Sequence, residues 1–130
     1  TVKPPVCRYG SANARTTIAV VGDSKAAQWV PAFQVLAKKY DWQILTYTKS
    51  ACTFATVVTT LDGKPYQECR DWTDNVIKEL TTKTKPDYVV TASERGSGII
   101  GTKNGKPCMW SQCRCESSAV PWNTPLHVSP

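Results

Sequence analysis

Three adjacent residues that could carry out acyl chemistry stand near the start of the chain: Gly22, Asp23 and Ser24, within "IAVVGDSKAAQW". A serine acts as a nucleophile when its hydroxyl is exposed, a base takes its proton, and amide donors face the developing oxyanion. A buried strand that turns sharply into a helix presents such a hydroxyl beside the free N–H groups of the first helical turn. The alternative is that Asp23 or Ser24 only caps the helix, as these residue types commonly do.

A change in hydrophobic period predicts the elements that position this tripeptide. The segment "TTIAVVG", residues 16–22, is apolar without alternation, which is typical of a strand buried on both faces of a parallel sheet. Pro31 either lies in the first turn of a helix that begins later or kinks a helix that begins at Lys25. From Ser24 onward one helical stripe, expected to face the core, contains Ala26, Trp29, Val30, Phe33, Leu36 and Ala37.

Two more strands and a helix are predicted downstream. The strands are "WQILTYT", residues 42–48, and "PDYVVTAS", residues 86–93. Between them, a long connection with a turn at Asp62-Gly63 leads to a helix over 70–83. Its inner face is predicted to carry Trp72, Val76, Ile77 and Leu80. This order predicts an α/β fold with a parallel sheet, whose ligands bind beyond the carboxyl ends of the strands. The loops "GDSKAAQ", "TKSAC" and "SERGSG" are expected to meet there.

Length and composition indicate one domain. The 130 residues divide into a lead-in (1–15), an α/β core (16–97) and a cysteine-rich tail predicted to be irregular (98–130). No apolar run is long enough to predict a membrane span, and no secretion signal opens the sequence. The net charge is +6, but the lysines are dispersed among acidic residues. This pattern indicates solvated surfaces and predicts no nucleic-acid partner, while an acidic cell-envelope polymer would suit it.

The six cysteines favour disulfides and an oxidising compartment, because their number is even and they form no C-x-x-C pair. The sequence does not choose a pairing among Cys7, Cys52, Cys69, Cys108, Cys113 and Cys115. A zinc site would recruit the last three together with His127, but their C-x4-C-x-C spacing matches no common zinc pattern. We therefore predict neither a metal nor another cofactor.

Three segments together resemble the SGNH/GDSL hydrolase superfamily: "VVGDSKAAQWVPAFQVLAKKYDWQILTYTKSAC", "LDGKPYQECRDW" and "KPDYVVTAS". More narrowly, they resemble the extracytoplasmic SGNH domain fused to bacterial membrane acyltransferases of the acyltransferase-3, O-acetylase type. The resemblance extends over residues 7–97 and is far more specific than an isolated Gly-Asp-Ser. It implies a flavodoxin-like three-layer α/β/α fold. It also implies acyl transfer or ester hydrolysis through an acyl-serine, usually on acetylated sugars.

The resemblance also implies roles for particular residues. Ser24 corresponds to the nucleophile, and its own N–H to one oxyanion donor. Asp23 corresponds to the acid that stabilises the loop after Gly22. Ser50 and Ala51, in the "TKSAC" loop, occupy the place of the second amide donor.

The chain departs from the family pattern at three places. The third block, where many relatives have Asn, offers Ser93 or Arg95 instead. Lys25 follows the nucleophile where His is frequent; it could donate to an oxyanion or attract an acidic glycan, or simply point outward. The usual late Asp-x-x-His is not found, because the only histidine, His127, is preceded at that spacing by Thr124. Either the chain stops before the last strand, helix and catalytic loop of a full domain, or its tail has diverged.

Three hypotheses follow. The first is an extracytoplasmic SGNH-like domain of a cell-envelope O-acyltransferase or acetylesterase, with Ser24, Asp23 and His127 as candidate catalytic residues. Its partners would be an acylated or acceptor glycan and a membrane acyltransferase domain in the same or another chain. The second is a non-catalytic glycan-binding or scaffold module that keeps the fold without a complete triad. The third, a small disulfide-rich secreted protein, explains the tail but not the α/β order.

Overall fold

The computed structural model describes residues 1–94, 99–103 and 106–109. Within these residues the helices are α1 (Ser24–Tyr40) and α2 (Gln67–Glu79), and a π-helical segment, Leu80–Thr84, continues α2. The strands are β1 (Cys7–Tyr9), β2 (Thr16–Gly22), β3 (Trp42–Thr48), β4 (Val58–Leu61), β5 (Lys64–Pro65), β6 (Tyr88–Ala92), β7 (Ile99–Lys103) and β8 (Lys106–Met109). No helix in this part of the chain has the length and apolar character needed to cross a membrane.

The main sheet has the strand order β1-β3-β2-β6. Strand β2 pairs in parallel with both β3 and β6, while β1 is antiparallel to β3. The register places Gly22, the last residue of β2, beside Thr48 of β3 and Ala92 of β6. The three parallel strands therefore end together at one edge. The chain leaves β2 toward β3 on one side and later returns to β6 on the other, which is the topology that opens a ligand crevice.

Alternating residues of the central strands pack on opposite faces of the sheet. Ala19 and Val21 belong to one buried cluster, which includes Trp72 and Val76 of α2. Ile18 and Val20 belong to a second cluster, which includes Ala26 of α1. Each helix thus covers its own face, as the uninterrupted apolar run in β2 predicted. The α/β fold with helices on both sides of the sheet is confirmed.

The fold contains strands that the sequence analysis did not predict. Strand β1 lies in the lead-in, and β4 and β5 form a hairpin around the predicted turn, where Asp62 and Gly63 both have positive φ. A second, antiparallel sheet has the order β5-β4-β7-β8. The prediction of irregular structure for 98–130 is therefore wrong over 99–103 and 106–109. The rest of that prediction lies outside the described residues.

The helices are largely as predicted, with one misplaced side chain. Helix α1 begins at Ser24 and contains Pro31 in its interior, so it begins neither later nor at Lys25. Trp29 was expected in the core but is 59% exposed, because it lies at the margin of the face that buries Ala26 and Ala37. On α2 and its continuation Trp72, Val76 and Leu80 are buried as predicted, although α2 begins three residues earlier than the predicted boundary.

Candidate active site at the carboxyl ends of the parallel strands

The Asp23 side chain caps helix α1. It is 1% exposed, and its Oδ1 accepts a hydrogen bond from the Lys25 N–H at 2.8 Å. Its Oδ2 accepts another from the Glu94 N–H, also at 2.8 Å. One carboxylate therefore satisfies an orphan donor of the first helical turn and ties the segment after β6 to the segment after β2. With both oxygens engaged, Asp23 is placed to stabilise the loop rather than to accept a proton from Ser24.

Ser24 is the first residue of α1 and is exposed. Neither its hydroxyl nor its N–H makes a hydrogen bond to another described residue. The sequence left open whether Asp23 or Ser24 caps the helix, and the structure assigns that role to Asp23. The Ser24 hydroxyl thus stands unengaged at the positive end of a seventeen-residue helix, where the helix dipole stabilises negative charge.

Gly22 allows the chain to bend between the strand and the helix. Its φ of 147° lies in a region that other residues rarely adopt. A β-carbon here would overlap the carbonyl oxygen of Ala92 and touch the Ala26 side chain. The end of β2 therefore packs against the end of β6 more closely than any side chain permits.

The second predicted donor segment, "TKSAC", spans residues 48–52. Its residues 49–52 follow β3 as a tight turn that we call the donor loop. The Cys52 N–H closes this turn by donating to the Lys49 carbonyl at 3.2 Å, and Ala51 has a φ of 52°. The N–H groups of Ser50 and Ala51 make no hydrogen bond to another described residue. The Lys49 N–H donates to the Gly22 carbonyl at 3.0 Å, which brings the donor loop beside the bend that carries Ser24.

The third predicted segment follows β6. Ser93 is partly buried there, beside the Glu94 N–H that Asp23 holds. At the rim, the Lys25 ammonium lies 3.3 Å from the Glu94 carboxylate, and both side chains are about half exposed. Lys25 therefore points outward into an ion pair that solvent screens. Arg95 and His127 lie outside the described residues.

A charged contact joins the donor loop to the start of α2. The Lys49 ammonium, with only 13% of its side chain exposed, lies 2.7 Å from Glu68 Oε1, which also accepts a hydrogen bond from the Thr1 amino group at 2.6 Å. Burial alone lowers the pKa of Lys49, but the bond to Glu68 and the neighbouring Tyr66 outweigh it and raise that pKa above its usual value. The hydrogen bond from Lys49, followed by that from Thr1, lowers the pKa of Glu68 from 4.5 to about 2.

The Lys49–Glu68 pair is therefore expected to survive mild acid. Because folding lowers the Glu68 pKa, the stabilisation from the pair is complete above pH 4.5 and is lost as the pH falls toward 2. A carbon-detected NMR titration of the Glu68 carboxyl should give a midpoint well below that of an ordinary glutamate. In Lys49→Met the midpoint should rise toward 4.5. An ordinary midpoint in the unmodified chain would contradict the pairing.

Cys52 and Cys69 form a disulfide between the donor loop and α2, with both residues fully buried. The prediction of disulfides is confirmed for this pair. Cys7 is exposed and has no disulfide partner among the described residues, so its pairing stays a prediction. The Cys108 side chain, Cys113 and Cys115 lie outside the described part of the chain.

Most of the chain matches one protein family. Residues 1–106 match the family described as "SGNH domain (fused to AT3 domains)". The chain belongs to this SGNH family. No curated protein and no solved structure matches the chain significantly. The family resemblance read from the sequence is thereby confirmed, and the SGNH domain is an acyltransferase-associated module.

The structure adds four residues to the site that sequence reasoning missed. Glu94 contributes an N–H to Asp23 and a carboxylate to Lys25. Lys49 belongs to the donor loop, and Tyr66 and Glu68 contact that loop. No local pattern marks these residues, since each acts through a contact between segments far apart in the chain. Knowing that Cys52 pairs with Cys69 would have indicated the contacts around the donor loop, because the disulfide brings the sequence neighbours of both cysteines together.

Proposed function

We propose that this SGNH domain transfers or hydrolyses acyl groups on cell-envelope glycans through an acyl-serine, on the extracytoplasmic side of the membrane. The observation that carries the proposal is that Asp23 caps α1, leaving the adjacent Ser24 hydroxyl exposed and without a partner among the described residues. A serine that served only as the N-terminal cap of a helix would accept a hydrogen bond from a backbone N–H with its hydroxyl oxygen. The buried disulfide and the family's association with acyltransferase domains support the compartment and the reaction class.

The mechanism begins when Ser24 Oγ attacks the carbonyl carbon of an ester and gives up its proton to a base. The carbonyl oxygen becomes an oxyanion, for which the Ser24 N–H and an N–H of Ser50 or Ala51 are the candidate donors. Collapse of this intermediate expels the alcohol, which takes up the proton, and leaves the acyl group on Ser24. A sugar hydroxyl or water then accepts the acyl group. His127 is the only imidazole in the chain that could serve as the base.

A glycan-binding or scaffold role is the second candidate. The observation that favours it is the Thr124 that stands where an Asp-x-x-His pair would place its carboxylate, so His127 lacks that orienting partner in the sequence. A scaffold would keep the sheet, the disulfide and the exposed rim while having no use for a nucleophile.

A covalent probe separates these functions. We expect a fluorophosphonate to phosphonylate Ser24, with loss of fluoride, and mass spectrometry of the digest to find the adduct on the Ser24 peptide. Ser11, whose Oγ accepts a bond from the Asn13 N–H, is an internal control that should remain unlabelled. The same preparation should hydrolyse p-nitrophenyl acetate. Absence of both label and turnover, together with retained binding on a glycan array, would refute the enzymatic proposal and support the scaffold.

A further inference from the structure

The donor loop is attached to the start of α2 by four different kinds of contact. The Cys52–Cys69 disulfide is covalent, and the Lys49–Glu68 ion pair has a separation of 2.7 Å. The Tyr66 hydroxyl donates to the Ser50 carbonyl oxygen at 3.4 Å, and the Lys49 ammonium lies 5.7 Å from the centre of the Tyr66 ring. Tyr66, Glu68 and Cys69 thus contact three of the four loop residues.

The donor loop has little internal support of its own. Its one internal hydrogen bond joins Cys52 to Lys49, and Ala51 is held in a left-handed conformation that favours glycine. Such conformations persist only where the surrounding structure fixes them. The contacts from the start of α2 provide that constraint, and they act on Lys49, Ser50 and Cys52. The N–H groups of Ser50 and Ala51, which have no partner among the described residues, lie within this span.

The opposite side of the loop reaches the nucleophile. The Lys49 N–H bonds to the Gly22 carbonyl, two residues before Ser24. Contacts therefore run without interruption from Glu68, through Lys49, to the bend that presents Ser24. An oxyanion donor contributes most when it is held in place before the reaction, and misplacement by about 1 Å can cost about a hundredfold in rate.

We propose that Tyr66, Glu68 and the Cys52–Cys69 disulfide form a clamp that holds the Ser50 and Ala51 N–H groups in position for the oxyanion. The inference rests on the proposed function, since it gives these N–H groups a role in acyl transfer. The clamp residues are positioning residues, because they act through the loop and do not touch the ester. Their contribution is to the rate of acylation, not to the binding of the acyl group.

The test compares Glu68→Gln with Glu79→Gln. Glu79 lies on the same helix, where it pairs with Lys83 at 3.8 Å and does not contact the donor loop. In Glu68→Gln we expect kcat for p-nitrophenyl acetate, the fluorophosphonate labelling rate and the affinity for a boronic acid to fall about tenfold each. The boronic acid becomes tetrahedral on Ser24 and mimics the oxyanion. KM should stay close to that of the unmodified chain, and the melting temperature should fall by no more than a few degrees, because Glu68 is about half exposed and solvent screens its pair with Lys49.

Further variants distinguish the positioning of the donor loop from a general loss of stability. Tyr66→Phe, which removes only the hydroxyl, should show the same pattern with a smaller loss. Combining Lys49→Met with Glu68→Gln should cost little more than the worse single change, because both remove one ion pair. Glu79→Gln should match the unmodified chain. Unchanged kcat in Glu68→Gln, or losses that follow the melting temperature in every variant, would overturn the clamp.

Hydrogen exchange tests the clamp even if the chain shows no catalytic turnover. The Cys52 N–H closes the donor loop, and we expect its exchange to accelerate about tenfold in Glu68→Gln while buried amides of β2 stay unchanged. An unmodified chain that neither labels at Ser24 nor turns over substrate would refute the proposed function alone. Equal exchange of the Cys52 N–H in both chains would refute the clamp alone.

Discussion

Replacing Ser24 by alanine is expected to reduce hydrolysis of p-nitrophenyl acetate to the rate of the buffer and to abolish fluorophosphonate labelling. The change removes the only atom that can form the acyl intermediate in the proposed mechanism. Stability should change by less than about 0.5 kcal/mol, because the side chain is exposed and its hydroxyl has no partner among the described residues. Initial rates over a range of enzyme concentrations, with chemical denaturation of the same samples, measure both quantities.

Two comparisons make this result specific. Ser11→Ala, outside the site, should retain full activity, and Ser24→Cys should retain a nucleophile that reacts with thiol reagents. If Ser24→Ala and the unmodified chain hydrolyse the ester at equal rates, Ser24 is not the nucleophile. The scaffold function would then be preferred.

Gly22→Ala is expected to cause the largest loss of stability, about 3 kcal/mol or more. The new methyl group would overlap the Ala92 carbonyl oxygen, and the φ of 147° would be strained for alanine. Relief requires β2 and β6 to separate where Asp23 bridges them, so Ser24 labelling should fall as well. Urea denaturation and the labelling rate measure the two effects.

Gly63→Ala is the matched control for backbone strain. Gly63 also has a positive φ, 73°, but apart from its chain neighbours no atom of the described residues lies within 4 Å of the place its β-carbon would take. Gly63→Ala should therefore lower the free energy of unfolding by about 1 kcal/mol, the cost of placing alanine in a left-handed conformation, and leave Ser24 labelling unchanged. Equal losses in the two variants would show that the contact with Ala92 contributes nothing.

The parts of the fold predicted from sequence are those with a long apolar run or a clear helical period. The apolar run 16–22 and the segment 42–48 each fill both faces of the sheet, so their strand boundaries match the predicted ones. Strand β1 has three residues and β5 two, which is too short for any alternation to show. The turn at Asp62-Gly63 was recognised, but the strands beside it were not. Trp29 was predicted to be buried but is exposed, because helical spacing selects residues at the margin of the buried face of α1 as readily as those at its centre.

The candidate site was predictable only where function and local structure share residues. Gly22, Asp23 and Ser24 combine a bend, a cap and a hydroxyl within one tripeptide, so the sequence drew attention to them. The partner of Asp23 is a backbone N–H at Glu94, which any residue type there could supply. Lys49 pairs with Glu68, nineteen residues away. The helix predicted over 70–83 did not include Glu68. Such contacts follow from tertiary packing, which composition and period do not encode.

The parallel arrangement of β2 between β3 and β6 means that the site forms only after segments far apart in the chain have paired. Its parts come from residues 22–25, 49–52 and 93–94, so no early fragment of the nascent polypeptide can assemble it. Closing these long chain segments is slow compared with forming helices, because loop entropy is lost before the strands gain their contacts. Reactivity at Ser24 would therefore appear late in refolding, as a reporter of the last long-range strand pairing.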